Sequence, residues 1–288
     1  MKQLSIWLCL GWLFVSAWAQ AQSSVWRVHK DGKAVIVAGS IHALKPTQLP
    51  LPLEYDRALA AADRVVFEVD IEAANQPEAA EYLLQPFRLP PGVTLQQTLA
   101  PKVWAQWQAK LFKQQLPQQF FSEFDAAMAS VLLPLTVLNQ AGYTDGIDQI
   151  LYARAKQAGK TMATLEDMAV QRQALQTLQA IDGNVLIQNM LADLENPDKD
   201  ISILVDAVYA GDTETLAPFL ADLKQPVFAA FYDALLTARN RAWVPQIEAW
   251  MGEEKQSTLV VVGALHLVGP DSVLAMLAAK GYQVDYYQ

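Results

Sequence analysis

Two histidines occupy the same short pattern at opposite ends of the chain. AVIVAGSIHALKP (34–46) and TLVVVGALHLVGP (258–270) each read as an apolar run, Gly, two residues, His, three residues, Pro, with His42 and His266 at the repeated position. Two imidazoles and a carboxylate form a ready site for a divalent metal that activates water near neutral pH. They can also do acid–base work unaided, with one histidine as general base and a carboxylate orienting it. Glu68, in RVVFEVD, is the first choice for the carboxylate, ahead of Asp70 and Glu166. No G-x-S-x-G elbow accompanies Ser40, and Ala264 takes its place in the second copy, which argues against a serine hydrolase.

The surrounding residues say how these groups could meet. Each G-x-x-H follows a run of β-branched or small apolar residues, the signature of a strand buried on both faces. Glycine at the strand end allows a sharp turn or a close approach, and ligands of open α/β sheets sit at the carboxyl ends of strands. If the two strands are neighbours, both imidazoles converge there.

VWRVHK and KAVIVAG flank Asp31-Gly32, which reads as a hairpin turn, with His29 on its surface. LPLEYDRALAAADR then predicts a helix and RVVFEVD a strand, an order that suggests a parallel pairing beside the hairpin. From about Asn75 to Met251 the pattern is mostly helical, broken at prolines and glycines and interrupted by the strand-like TMATLED, which ends near Glu166. PVFAAFYDALLTARNRAWVPQIEAWMG continues as helix, with Pro245 kinking it or starting a new one. TLVVVGALH, DSVLAMLAAK and YQVDYY close the chain as strand, helix and strand. The expected fold is α/β: a mixed central sheet built from N- and C-terminal segments, with a large helical insertion and flanking helices.

The first 21 residues, MKQLSIWLCLGWLFVSAWAQA, have the anatomy of a cleaved signal peptide, leaving 22–288 as one α/β domain in the periplasm or outside the cell. Cys9 is the single cysteine and lies in that segment, so disulfides and thiol catalysis are not expected of the mature chain. Later apolar runs are too short to span a bilayer. With 21 Lys and Arg against 30 Asp and Glu, the chain opposes the phosphate neutralisation that nucleic-acid binding needs. Several candidates also have ordinary readings. Glu68 could pair with an arginine, Asp148 could favour a helix N-terminus, Arg239-Asn240 could face solvent, and the tryptophans of VWAQWQAKLF could be core.

VIVAGSIHALKP, VVFEVD, GIDQILYARAKQAGK with TLED, LLTARNRAW and LVVVGALHLVGPDSVLAMLAAKGYQV, in that order, resemble the TraB/PrgY/GumN family and, through it, the Tiki-type metalloproteases. The likeness runs from about Trp26 to the C-terminus. It implies an α/β core in which two related halves each supply one G-x-x-H, and a hydrolysis that depends on manganese or cobalt, with zinc as a further candidate. On this pattern His42, His266 and Glu68 hold the metal, while Glu68 or Glu166 orients water. Arg239 and Asn240 match the family's Arg-Asn pair, and Gly146, Asp148 and Glu166 match other recurrent positions. H-E-x-x-H is absent, so standard zinc-protease geometry does not follow.

The leading expectation is therefore an exported metal-dependent hydrolase, a peptidase, acting on a peptide or small molecule. A metal-free His/Glu hydrolase of the esterase kind and a non-catalytic periplasmic protein that binds a peptide or glycan are the alternatives.

Overall fold

A computed structural model describes residues 22–253 and 256–288; the expected signal peptide, with Cys9, lies outside these described residues. Six strands form one mixed sheet: β1 (Val25–Lys30), β2 (Lys33–Ser40), β3 (Arg64–Phe67), β4 (Thr161–Thr164), β5 (Thr258–Gly263) and β6 (Gln283–Tyr286). Their spatial order is β4-β3-β5-β2-β1-β6. Asp31 and Gly32, with φ of 52° and 79°, make the tight turn between β1 and β2. The α/β expectation holds, with the sheet drawn from both ends of the chain and most of the helices lying in sequence between them.

The neighbour expected beside the hairpin is different. β3 is parallel, as predicted, but it pairs with β5, and β5 lies between β3 and β2. The reason is burial. Leu259, Val260, Val261 and Val262 are all at most 1% exposed, and an edge position would leave part of this run in water. Burying each such side chain contributes roughly 1.5–3 kcal/mol, so the most apolar strand takes a central place.

Alternate residues of β5 serve the two faces. Leu259 and Val261 pack with Tyr55, Ala58, Ile147, Leu151 and Val208, from the helices Leu53–Ala61, Ile147–Gln157 and Pro197–Ala210. Val260 and Val262 pack with Trp243, Ile247, Val273 and Leu277, from the helices Ala238–Met251 and Val273–Ala279. The helical insertion builds further clusters, one of which contains Trp104 and Trp107, core residues of the helix Pro101–Lys113. Pro245 lies inside Ala238–Met251, which continues past it. Among the described residues no helix is long and apolar enough to cross a membrane.

Ser40 is in register with Gly263, and Phe67 with both Val261 and Thr164. Four parallel strands therefore end along one edge, and His42, Glu68, Glu166 and His266 all lie one to three residues beyond those ends. This is the edge at which open α/β sheets bind ligands.

Candidate active site

The two histidines reach that edge on different backbones. After β5 the chain winds into a 3-10 turn, Ala264–Leu267, which tucks His266 inward until it is 4% exposed. After β2 it runs on without a turn of helix, and the side chain of His42 remains 69% exposed. The same motif thus yields one sealed histidine and one open to solvent.

Arg239 packs against His266, and all five of its N–H donors are used. Nε and Nη2 hold Glu166 in a fork at 2.7–3.1 Å, and Nη2 also donates to Glu68 Oε2. Nη1 donates to the Leu235 carbonyl at 2.8 Å and to His266 Nε2 at 3.2 Å. The hydrogen-bond network assigns the other ring nitrogen as the protonated one, donating from Nδ1 to Asn240 Oδ1 at 2.6 Å. Asn240 in turn donates from Nδ2 to the Asp271 carbonyl at 2.8 Å. Arg239 and Asn240, expected to face solvent on composition alone, are 5% and 2% exposed. They follow a π-helical turn, Asp233–Thr237, a local underwinding that resets the face presented by the residues after it.

Trp243 completes the wall and was not foreseen. Its Nε1 donates to Glu166 Oε2 at 2.9 Å, its ring lies 4.4 Å from that of His266, and the Arg239 guanidinium sits 4.7 Å over it. The spacing i, i+4 from Arg239 placed it on the same helical face, which was the signal available in the sequence.

On the open side, Asp148 Oδ2 lies 3.1 Å from His42 Nδ1, and Asp148 sits in the first turn of the helix Ile147–Gln157. Gly146 permits this pairing: a Cβ there would lie 2.2 Å from the Ile41 carbonyl oxygen and 2.4 Å from the His42 carbonyl carbon. The two loops are stitched together by Ile147 N–H to Ile41 O, at 2.9 Å. Glu68 Oε1 accepts from the Gly263 N–H at 2.7 Å. A point beside Gly263, where a Cβ would stand, is 3.4 Å from Glu68 Oε1, 3.6 Å from His266 Cδ2 and 3.7 Å from His42 Nε2. A cleft of about 240 Å³ opens beside His42 and Glu68, lined also by Ser40, Asp148 and Gln171 among others. Asp70 is not among them; it caps the helix Ile71–Ala74 by accepting from Ala73 N–H.

The charges follow from this packing. Burial pushes His266 down to about 3, and the cations Arg239 and His42 reinforce it against the pull of Glu68, so the ring stays neutral. For Glu68, burial alone would raise the pKa, yet His266, Arg239, His42 and the Gly263 N–H bring it down to about 2. The share from His266 acts only in strong acid, where that ring is charged; at neutral pH the other three keep Glu68 ionised. Desolvation pulls His42 down, but the Asp148 hydrogen bond and the charges of Asp148 and Glu68 outweigh it and push the pKa up to about 9. Because water reaches this side chain, the desolvation is milder than in a sealed site, and the carboxylates set the direction. Glu166 is raised by burial, against its bonds from Arg239 and Trp243.

Among the described residues no group of three or more His, Cys, Asp or Glu is placed to hold a metal ion. The physical reason is Arg239. His266 Nε2, 3.9 Å from Glu68 Oε1, already accepts from Arg239, and an ion at Glu68 would face a guanidinium at hydrogen-bond distance. As arranged, these donors do not fit a divalent cation.

No curated protein and no solved structure is significantly similar to the chain. The sequence model of the TraB/PrgY/gumN family matches residues 24–286, nearly the whole length and a span that includes both G-x-x-H segments of this chain, so the chain belongs to that family.

Proposed function

We propose that this protein is an exported hydrolase of carbonyl substrates, peptides foremost, working by acid–base chemistry between His42 and Glu68. One observation carries the reading: His42, held through Nδ1 by Asp148, presents Nε2 to the same point beside Gly263 that Glu68 Oε1 faces. An acid and a base with pKa values driven apart flank a site where a reacting atom fits. Glu68 accepts a proton from water as its oxygen bonds to the carbonyl carbon. His42, charged at rest, stabilises the developing oxyanion and then protonates the leaving nitrogen or oxygen as that bond breaks. The proton on Glu68 passes back to His42 and restores the pair. Arg239 keeps Glu68 and Glu166 ionised and fixed, while His266 and Asn240 hold Arg239 in place.

The test is hydrolysis of a panel of peptide and ester substrates by the mature chain, before and after exhaustive chelation. Activity that survives chelation and falls by about 10²–10⁴ in His42→Ala is expected. Activity lost on chelation and restored by manganese, cobalt or zinc would instead favour the metal-dependent reading. Saturable binding of a ligand that stays intact would favour a binding protein.

A further inference from the structure

Away from the histidine cleft, the helical insertion leaves an apolar groove of about 430 Å³. Val131, Leu186, Met190, Leu204, Leu223 and Phe231 contribute to its walls. They belong to different packed clusters. Leu186 packs with Phe87 and Phe124, Met190 with Trp104 and Trp107, and Leu204 and Leu223 at the margin of the core beneath the sheet. The groove is the seam where these clusters meet without closing. Apolar surface left in water costs roughly 25 cal/mol per Å², so an open seam of this kind favours a ligand that covers it.

Three aspartates, Asp193, Asp200 and Asp222, line the same groove. Among the described residues none of them has an ion-pair partner. Lys224, close by in sequence, turns instead to Asp271 and over the ring of Tyr232. The aspartates act on one another: burial first, then the charges of Asp222 and Asp200, push the Asp193 carboxyl up. An apolar trough with uncompensated negative charge is complementary to a ligand with an apolar body and positive charges.

We propose that this groove docks a peptide segment of apolar side chains interspersed with lysines or arginines, the apolar groups filling the seam and the cations meeting Asp193, Asp200 and Asp222. The groove shares no lining residue with the histidine cleft, so the inference stands or falls apart from the hydrolase reading.

The probe is a fluorescently labelled synthetic peptide of leucine and lysine in amphipathic alternation, followed by anisotropy with the full mature chain. Two controls accompany it, one with glutamate in place of lysine and one with serine in place of leucine. The combined variant Asp193→Asn, Asp200→Asn, Asp222→Asn is expected to weaken binding about tenfold and to flatten its salt dependence. A charge-matched variant at exposed positions elsewhere, Asp31→Asn, Glu78→Gln, Asp206→Asn, is expected to leave binding unchanged. Equal weakening in both variants would reduce the effect to net charge and overturn the proposal. So would tight binding of the serine peptide, or no binding of the leucine–lysine probe.

Discussion

Asn240 decides which nitrogen of His266 carries the proton: its Oδ1 accepts from Nδ1 at 2.6 Å and leaves Nε2 as the acceptor that Arg239 needs. Both side chains are almost fully buried, so the bond has no solvent substitute. Asn240→Ala should therefore leave the His266 donor unpaired and destabilise the fold by about 1–3 kcal/mol. Urea denaturation of the two proteins measures it, and a difference below half a kilocalorie would mean that another acceptor reaches the ring.

Arg239 neutralises two buried carboxylates. Arg239→Met keeps much of the side chain's bulk and removes the charge, leaving Glu68 and Glu166 to face each other. A loss of about 3–5 kcal/mol is expected, the scale for breaking a buried ion pair by removing one partner. The same variant should recover part of its stability on acidification, as the carboxylates take up protons; recovery absent down to the onset of acid unfolding would argue against that account.

The two repeated histidines should titrate in opposite directions. The pKa of His42 is raised in the folded state to about 9, so its ion pair favours folding fully below the unfolded value near 6.5. That contribution is lost as pH rises through about 9. His266 should stay neutral until about pH 3. With only three histidines in the chain, ring NMR signals can follow both. Asp148→Asn should bring His42 down while leaving His266 in place, and a shared, ordinary midpoint for the two rings would contradict the geometry.

Gly263 and Gly146 separate packing from chemistry. At Gly263 a Cβ meets its neighbours at 3.4–3.7 Å, ordinary contact, with φ at −52°. Gly263→Ala should fold with a stability change within about 1 kcal/mol, yet place a methyl group among His42, Glu68 and His266 and suppress hydrolysis. Gly146→Ala has no such room, since its Cβ would lie within 2.5 Å of the His42 backbone, so stability itself should fall. Thermal melts beside activity assays distinguish the two, and equal melting losses would remove the distinction.

The sequence made strand identity and strand ends legible, because β5 and β2 are continuous apolar runs punctuated by glycine. Strand order was less accessible: nothing local in RVVFEVD says that a segment from the far end of the chain will lie between it and the hairpin. Glu68, Glu166 and Arg239 were found as candidates, and an arginine was one ordinary partner for Glu68, but that a single guanidinium would hold both carboxylates and His266 was not legible, because these groups come from distant segments that meet only at the folded sheet edge. The divergence of His42 from His266 was hidden for a similar reason. It depends on a 3-10 turn after Gly263 that has no counterpart after Gly39.

β5, lying between β2 and β3, has a consequence in time. Until β5 emerges, β2 and β3 present bare edges to each other across the gap that it will fill, and neither Gly263 nor His266 is there to meet Glu68. Long-range parallel pairings of this kind form slowly. A nascent or truncated chain ending before Thr258 therefore has no assembled cleft, and the protein cannot become competent until β5 and the turn that carries His266 have been made.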